Sequence, residues 1–299
     1  MNIRSILCPT DFSDASQHAL DHAVAIAGWY SAKVVALHAH QTVSAAVAAY
    51  AVAGGVGDTW LDSDEILAER RNLASAVAPL RADGVELETE VLPGPAADTI
   101  VGYAAATSPD LIVIGTHGAG GFTHLVLGSV TEKVLRRAQC PVLTVPPRAQ
   151  ATSMLPFRRI LCPIDFSASS LAGLELAFSF AREGDAIITL LHVIDDPDEN
   201  ELFVARPYDV HQHHVQREQH VLNHLDKLVP DSVRDWSFRK LRVAHGKPYE
   251  RILDVAAEER ADLIVVGVQG RKPLDLMLFG STTNQLVRRA TSPVLTVRA

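Results

Sequence analysis

"ILCPTDFSDASQHAL", Ile6 to Leu20, and "ILCPIDFSASSLAGL", Ile160 to Leu174, agree at nine of fifteen positions. They lie 154 positions apart, and a second pair closes the same frame: "CPVLTV" from Cys140 and "SPVLTV" from Ser292, 152 apart. "ALHAH" (36–40) and "LLHVI" (190–194) keep the first spacing, while "LPGPAADTI" (92–100) and "AHGKPYERI" (244–252) keep the second. The two-residue difference therefore falls in the middle segments. A repeat this long is a duplicated domain, because solenoid units recur every ~20–50 residues. The segment "PPRAQATSMLP", Pro146 to Pro156, has prolines at both ends and mostly small or polar residues between, which marks a linker. The expected domains are 1–147 and 157–299, joined by 148–156.

Between the anchors the periodicity alternates. Nearly continuous apolar runs at Ile3–Cys8, Lys33–His38, Val85–Val91, Leu111–Ile114 and Pro141–Val145 read as strands covered on both faces. Helical patterns occupy Ser13–Tyr30, Leu61–Ala82, Ala96–Ala106 and Ser129–Arg137. The second half repeats the strands at Arg159–Cys162, Ala186–Val193, Ser237–Val243, Leu263–Val266 and Pro293–Val297. Five strands alternating with four helices specify an α/β fold, an open and doubly wound parallel sheet, built twice in tandem. Ser13, Ser167 and Ser129 stand where helix caps belong, and Pro95 and Pro248 stand near first turns.

With 299 residues, 47% of them apolar, the chain can bury two ordinary cores. A net charge of −8 gives no electrostatic reason to expect nucleic acid. "MNIRSILCPTDF" has too short an apolar run for a secretory signal. "TVSAAVAAYAVAGGVGDTW", Thr42 to Trp60, is broken by glycines and makes a poor membrane span. A cytoplasmic protein with no membrane or nucleic-acid partner is expected. Cys8, Cys140 and Cys162 lack metal or CxxC spacing and read as small buried hydrophobes in a reducing compartment.

In a doubly wound sheet, ligands bind beyond the carboxyl ends of the strands, where strand order reverses. With order 3-2-1-4-5, strands one and four flank that point. After strand four come "GTHGAGGFTHLVLGSV" (115–130) and "GVQGRKPLDLMLFGST" (267–282). Both give one spacing: Gly115-x2-Gly118-x9-Gly128-Ser129 and Gly267-x2-Gly270-x9-Gly280-Ser281. Glycines allow backbone N–H groups close to a ligand, and a helix opening at Gly-Ser offers N–H donors and a dipole to phosphate. A duplicated structural turn would show the same spacing, and the phosphate reading is the favoured one. No lysine precedes Ser129 or Ser281, which excludes a Walker loop. "CPTDFS" and "CPIDFS" contain no glycine, which excludes the dinucleotide fingerprint. They place Asp11 and Asp165 at the end of strand one, either to accept from a nucleoside or to cap the next helix.

Together these residues resemble the universal stress protein family in its tandem two-domain form, over nearly the whole chain. The resemblance implies sheet order 3-2-1-4-5, halves related by a pseudo-twofold axis, and ATP at the carboxyl edge, alone or with Mg2+. By position it implies Pro9, Thr10 and Asp11, and Pro163, Ile164 and Asp165, at the adenosine. Ala39 and Val193 would line the adenine pocket. Gly115, Gly118, Gly128, Ser129, Val130 and Thr131 would hold phosphates and ribose, with His117 nearby. Their counterparts are Gly267, Gly270, Gly280, Ser281, Thr282 and Thr283, joined by Arg271 and Lys272, which offer cations where the first half has Ala119 and Gly120. Two sites of unequal affinity are expected.

The implied function is an ATP-binding regulatory protein of the stress response. Its rival is a slow ATP hydrolase or phosphotransferase, for which the loop offers no base beyond His117, replaced by Gln269 in the second half. No catalytic residue is assigned, and weak turnover at most is expected. In single-domain relatives the closing strands meet across a dimer, so Pro141–Val145 and Pro293–Val297 are expected to meet within one chain. Thr42–Trp60 is a lesser candidate for a homodimer contact. In "HQHHVQREQHVLNHL" (211–225), His220 and His224 are four apart and His213 is one heptad earlier. With no HExxH motif and no counterpart in the first half, a solvated helix face is favoured over a metal site. His38 and His192, recurring after strand two, are expected to make buried polar contacts.

Overall fold

The apolar runs become strands, each of the first four in a unit is followed by a helix, and the pattern is laid down twice. The computed structural model describes residues 3–40, 60–80, 84–116, 127–147, 157–195, 207–231, 239–268 and 280–299. The expected linker 148–156 and the stretch 42–59 lie outside them. By its internal contacts the chain divides between Ser153 and Met154.

In the first unit, β1 (Ser5–Thr10), α1 (Asp14–Tyr30), β2 (Lys33–His40), α2 (Trp60–Val77), β3 (Glu86–Pro93), α3 (Ala96–Thr107), β4 (Leu111–Gly115), α4 (Ser129–Arg137) and β5 (Val142–Val145) follow in turn. The second unit repeats them as β6 (Arg159–Pro163), α5 (Ala168–Gly184), β7 (Ile187–Ile194), α6 (Pro207–Lys227), β8 (Arg239–His245), α7 (Pro248–Glu258), β9 (Leu263–Gly267), α8 (Ser281–Arg289) and β10 (Val294–Val297). The strand order is β3-β2-β1-β4-β5 in the first unit and β8-β7-β6-β9-β10 in the second, the expected 3-2-1-4-5 in both. All pairs within each unit are parallel. All five residues of β4 are buried, as a central strand between two helical layers requires.

Several strands run past the ends that periodicity predicts. β1 extends to Thr10 and β2 to His40, because Thr10 pairs with His38 and His40 with Pro93. That extension brings polar residues to the carboxyl edge. The helix expected over Leu61–Ala82 stops at Val77 and continues as a 3-10 turn through Ala78–Leu80. Pro79 explains the change, since it lacks the N–H that an α-helix needs there. At the opposite edge Asp110 accepts from the N–H groups of Arg4 and Ser5, and Asp262 from those of Arg158 and Arg159, pinning each unit's first strand. Cys8 and Cys162 are buried and Cys140 is half-buried, all as free thiols. Burial pushes the Cys140 thiol up to about 11, and drives Cys8 and Cys162 higher still.

Candidate functional site

The order reverses between β1 and β4 in the first unit and between β6 and β9 in the second. The segments leaving those strands form the candidate site. Leaving β1, Asp11 Oδ1 accepts from the N–H of Ser13 at 3.1 Å and from its hydroxyl. The Ser13 Oγ in turn accepts from Ser16 N–H and caps α1. The second unit repeats this: Asp165 Oδ1 accepts from Ser167 N–H at 3.0 Å and Oγ–H at 2.6 Å, and Ser167 caps α5. The capping role weighed for these aspartates is thus indirect, because they brace the serine that caps. Asp11 is exposed and Asp165 half-buried, so each carboxylate also faces solvent at the sheet edge.

The residue after each aspartate is a phenylalanine with positive φ, +63° at both Phe12 and Phe166. A left-handed conformation costs a non-glycine residue about 1–2 kcal/mol, so something must hold it. The ring of Phe12 lies 4.5 Å from that of His38, and the ring of Phe166 5.0 Å from that of His192. Each histidine also binds the carbonyl two residues before the phenylalanine, His38 Nδ1 to Thr10 O at 2.8 Å and His192 Nδ1 to Ile164 O at 2.6 Å. A carbonyl only accepts, so Nδ1 carries the proton. The polar contacts expected of these two histidines are present, made by half-buried rather than buried rings. The phenylalanine conformation was not foreseen, although the repeated "DFS" held the residue in view. Thr10 directs its hydroxyl inward, to Ser16 Oγ at 3.0 Å and Phe12 N at 3.2 Å, and the buried Ile164 has no such group to offer.

Leaving β4, the chain reaches α4 through Gly128. Ser129 was expected as the cap, but Gly128 occupies that position and Ser129 is the first helical residue. The reason is that Gly128 N–H bonds back to Thr116 O at 2.8 Å, which keeps Gly128 extended. Gly280 does the same for α8, through Val268 O at 3.1 Å. Gly128 and Gly280 have no side chain with which to cap these helices, and a helix has no internal partners for its first N–H groups. Ser129 and Ser281 are exposed beside those groups. Thr131 and Thr283 are buried and donate instead to the carbonyls of Gly115 and Gly267, at 2.7 and 2.9 Å.

Gly115 and Gly267 meet protein rather than open space. A Cβ on Gly115 would stand 2.8 Å from the Ala15 carbonyl oxygen, and one on Gly267 2.7 Å from Ser170 N. These glycines let the fourth strand touch the first helix. Pro9 and Pro163 are buried, while Ala39, Val193, Val130 and Thr282 are half-buried at the same carboxyl edge. His117, Gly118, Gly270, Arg271 and Lys272 lie outside the described residues.

His220 and His224 meet edge to face with ring centroids 4.3 Å apart, and His224 makes a second edge-to-face contact with Phe166 at 5.9 Å. Among the described residues no group of three or more His, Cys, Asp or Glu could hold a metal ion. No helix among them is long and apolar enough to cross a membrane. A cleft of about 390 Å3 opens at the amino end of the second unit's sheet, lined by Arg159, Ile187, Thr189, Lys240, Glu259 and Arg260 among others. It shares no residue with the carboxyl-edge site.

Duplicated doubly wound units, each with a serine-capped helix after its first strand and a glycine-opened helix after its fourth, define a class of tandem α/β proteins. The universal stress protein family model matches residues 2–146 and again 156–298, and the chain belongs to that family. It is 36% identical over 143 residues to a universal stress protein of Methanocaldococcus jannaschii, covering 48% of this chain and 81% of that protein. A universal stress protein of Mycolicibacterium smegmatis is 29% identical over 223 residues, 72% of this chain and 70% of that one. The crystal structure of a universal stress protein from Archaeoglobus fulgidus superposes with a TM-score of 0.68 at 21% identity, covering 100% of this chain and 99% of that chain. That likeness is one of fold.

Proposed function

We propose that each half binds ATP at the carboxyl edge of its sheet, alone or with Mg2+, and that the protein acts as a nucleotide-dependent regulator in the stress response. One observation carries this: at the same edge, in both halves, the helix after the first strand is capped by the side chain of its N-cap serine, while the helix after the fourth opens on a glycine that has no side chain to cap it. Exposed N–H donors at a helix start favour an anion, and a phosphate suits them. The neighbouring Asp11 or Asp165 carboxylate is an acceptor suited to ribose hydroxyls or an adenine amino group. Ala39 and Val193 supply small apolar surface for a base. In this arrangement the phosphate donors are the backbone N–H groups of Ser129, Val130 and Thr131 and the Ser129 hydroxyl, with Ser281, Thr282 and Thr283 as counterparts. The Thr131 and Thr283 hydroxyls, bonded to carbonyls, are left out.

The test is calorimetric titration of nucleotide-free full-length protein with ATP. Gly270→Glu is expected to remove one site, Gly118→Glu the other, and the pair both, because a carboxylate on the loop repels a triphosphate and a side chain blocks close approach. Circular dichroism controls for folding. Unchanged stoichiometry in a folded double variant would reduce the glycine spacing to a turn. Turnover of about 1 per second or faster would replace a binding protein with an enzyme.

A further inference from the structure

We propose that His38 and His192 are positioning residues for the nucleoside end of the site. Each holds the turn after the first strand in its left-handed bend, and so fixes where the Asp11 or Asp165 carboxylate stands. This rests on the nucleotide reading above and adds a residue that shapes the site without touching the ligand.

The aspartate is flanked by two anchored groups. On one side the carbonyl of Thr10 or Ile164 is captured by a histidine Nδ1–H. On the other, Phe12 or Phe166 is held at φ +63° with its ring against the same imidazole. One side chain thus restrains both ends of the turn, and the serine N–H and hydroxyl then hold the carboxylate in place upon it. The register explains how it reaches: His38 is the β2 partner of Thr10, at the last pair of β1. A bulky residue in this conformation persists only where its surroundings over-determine it, and such sites gather where geometry matters for function.

The two copies isolate what the device needs. Thr10 in one half is Ile164 in the other, and Phe166 also meets the ring of His224. The carbonyl bond, the ring contact and the φ value are the same. The serine held by the aspartate is the same too. What both halves keep is therefore the bend and the aspartate, rather than the wider packing around them.

The experiment compares paired variants of the full chain, His38→Leu with His192→Leu, and likewise to Asn and to Phe. Asparagine places an amide nitrogen where Nδ1 stood, while phenylalanine keeps a ring and loses the donor. Three probes are titrated: ATP, adenosine and inorganic tripolyphosphate. If loss of the donor leaves the competent turn only a tenth of the time, affinity falls about tenfold. The Leu and Phe pairs are expected to lose about that factor for ATP and adenosine alike, with tripolyphosphate unchanged and the Asn pair largely restored. An equal loss for tripolyphosphate, or no loss for adenosine in folded Leu and Phe pairs, overturns the proposal. Should the Leu pair fail to fold, the contrast between Asn and Phe decides alone.

Nitrogen-15 NMR of the ligand-free wild type separates the two claims. An Nδ1–H tautomer at both histidines supports the clamp, and an Nε2–H tautomer overturns it whatever the titrations give. Wild-type protein that shows the Nδ1–H tautomer but binds neither ATP nor adenosine overturns the nucleotide reading, and the positioning role with it.

Discussion

The two halves keep the same imidazole in different company. In the first, His38 Nε2 lies 3.5 Å from Glu69 Oε2, and His40 Nδ1 lies 2.8 Å from the same oxygen. In the second, the ring of Phe166 contacts both His192 and His224, His224 meets His220 edge to face, and the carboxylate of Glu218 goes to His245 at 2.6 Å. Contacts that fix the backbone are duplicated faithfully, while the charges one layer out have diverged. The amino end shows the same rule. Lys33 pairs with Glu88 at 2.6 Å in the first unit, whereas Ile187 and Lys240 hold those places in the second and Lys240 pairs with Glu259. Tyr103 has Val255 as its counterpart. Ile187 and the redirected Lys240 both line the cleft at that end of the second unit.

The sharpest way to break the comparison is at the glycines that let the fourth strand touch the first helix. Gly267→Ala would set a Cβ 2.6 Å from Ser169 Oγ and 2.7 Å from Ser170 N, and Gly115→Ala one 2.8 Å from Ala15 O. Backbone lies on both sides, so neither clash can be relieved by a rotamer. Each is expected to cost about 1–3 kcal/mol, Gly267 more than Gly115, read from urea midpoints. Gly102→Ala is the control, since a Cβ there meets nothing within 4 Å and a helical alanine should stabilise by about 0.4–1 kcal/mol. If Gly267→Ala matched Gly102→Ala, the close strand–helix contact would not exist in solution.

A subtler difference lies at Asp110 and Asp262. Asp110 uses one oxygen, Oδ2, for both Arg4 N–H and Ser5 N–H. Asp262 divides the work, with Oδ2 taking Arg158 N–H and Oδ1 taking Arg159 N–H. An asparagine at 110 can present its single oxygen to both donors. At 262 it must turn an NH2 towards one of them, leaving that N–H unsatisfied. Burial raises the Asp262 pKa against the pull of these N–H groups, so the site is one where a lost acceptor counts. Asp262→Asn is expected to cost about 1–3 kcal/mol and Asp110→Asn less than about 1 in chemical denaturation. Equal losses would mean that the two carboxylates share one geometry.

The fold was legible because duplication and buried parallel strands write themselves as contiguous apolar runs. "ILCP" and "PVLTV" appear twice, and β4 is apolar throughout. The site was legible only in part, because one residue type can meet several needs. Gly115 belongs to a ligand-like spacing, yet what its hydrogen atom makes room for is Ala15, a residue 100 positions away. Thr131 follows a helix start, yet its hydroxyl turns back to Gly115 O. No local propensity announces a phenylalanine with φ +63°, since that conformation is imposed by an imidazole from the neighbouring strand. Long-range contacts of this kind have no periodicity to betray them.

The smallest expected effect concerns His22, whose place in the second unit is taken by Leu176, both being buried. Its Nδ1 bonds the His18 carbonyl at 2.8 Å, one turn back in α1. Burial lowers its pKa below the ordinary 6.5, with the His18 carbonyl and Asp21 opposing the shift. The unfolded chain therefore takes up the proton more readily than the folded one. Stability from this group is whole above the unfolded value and drains away as pH falls from about 6.5 towards the depressed folded value. Leucine binds no proton at that place. His22→Leu should thus change the melting temperature little at pH 8 and raise it relative to the parent at pH 5.5, by a margin that widens as pH falls. Leu176→His should import the acid sensitivity, and the margin at pH 5.5 should then reverse sign. Scanning calorimetry at the two pH values reads both. A pH-independent gap for His22→Leu would show that the residue keeps its ordinary affinity for protons inside the helix layer, and that the two units differ here in shape alone.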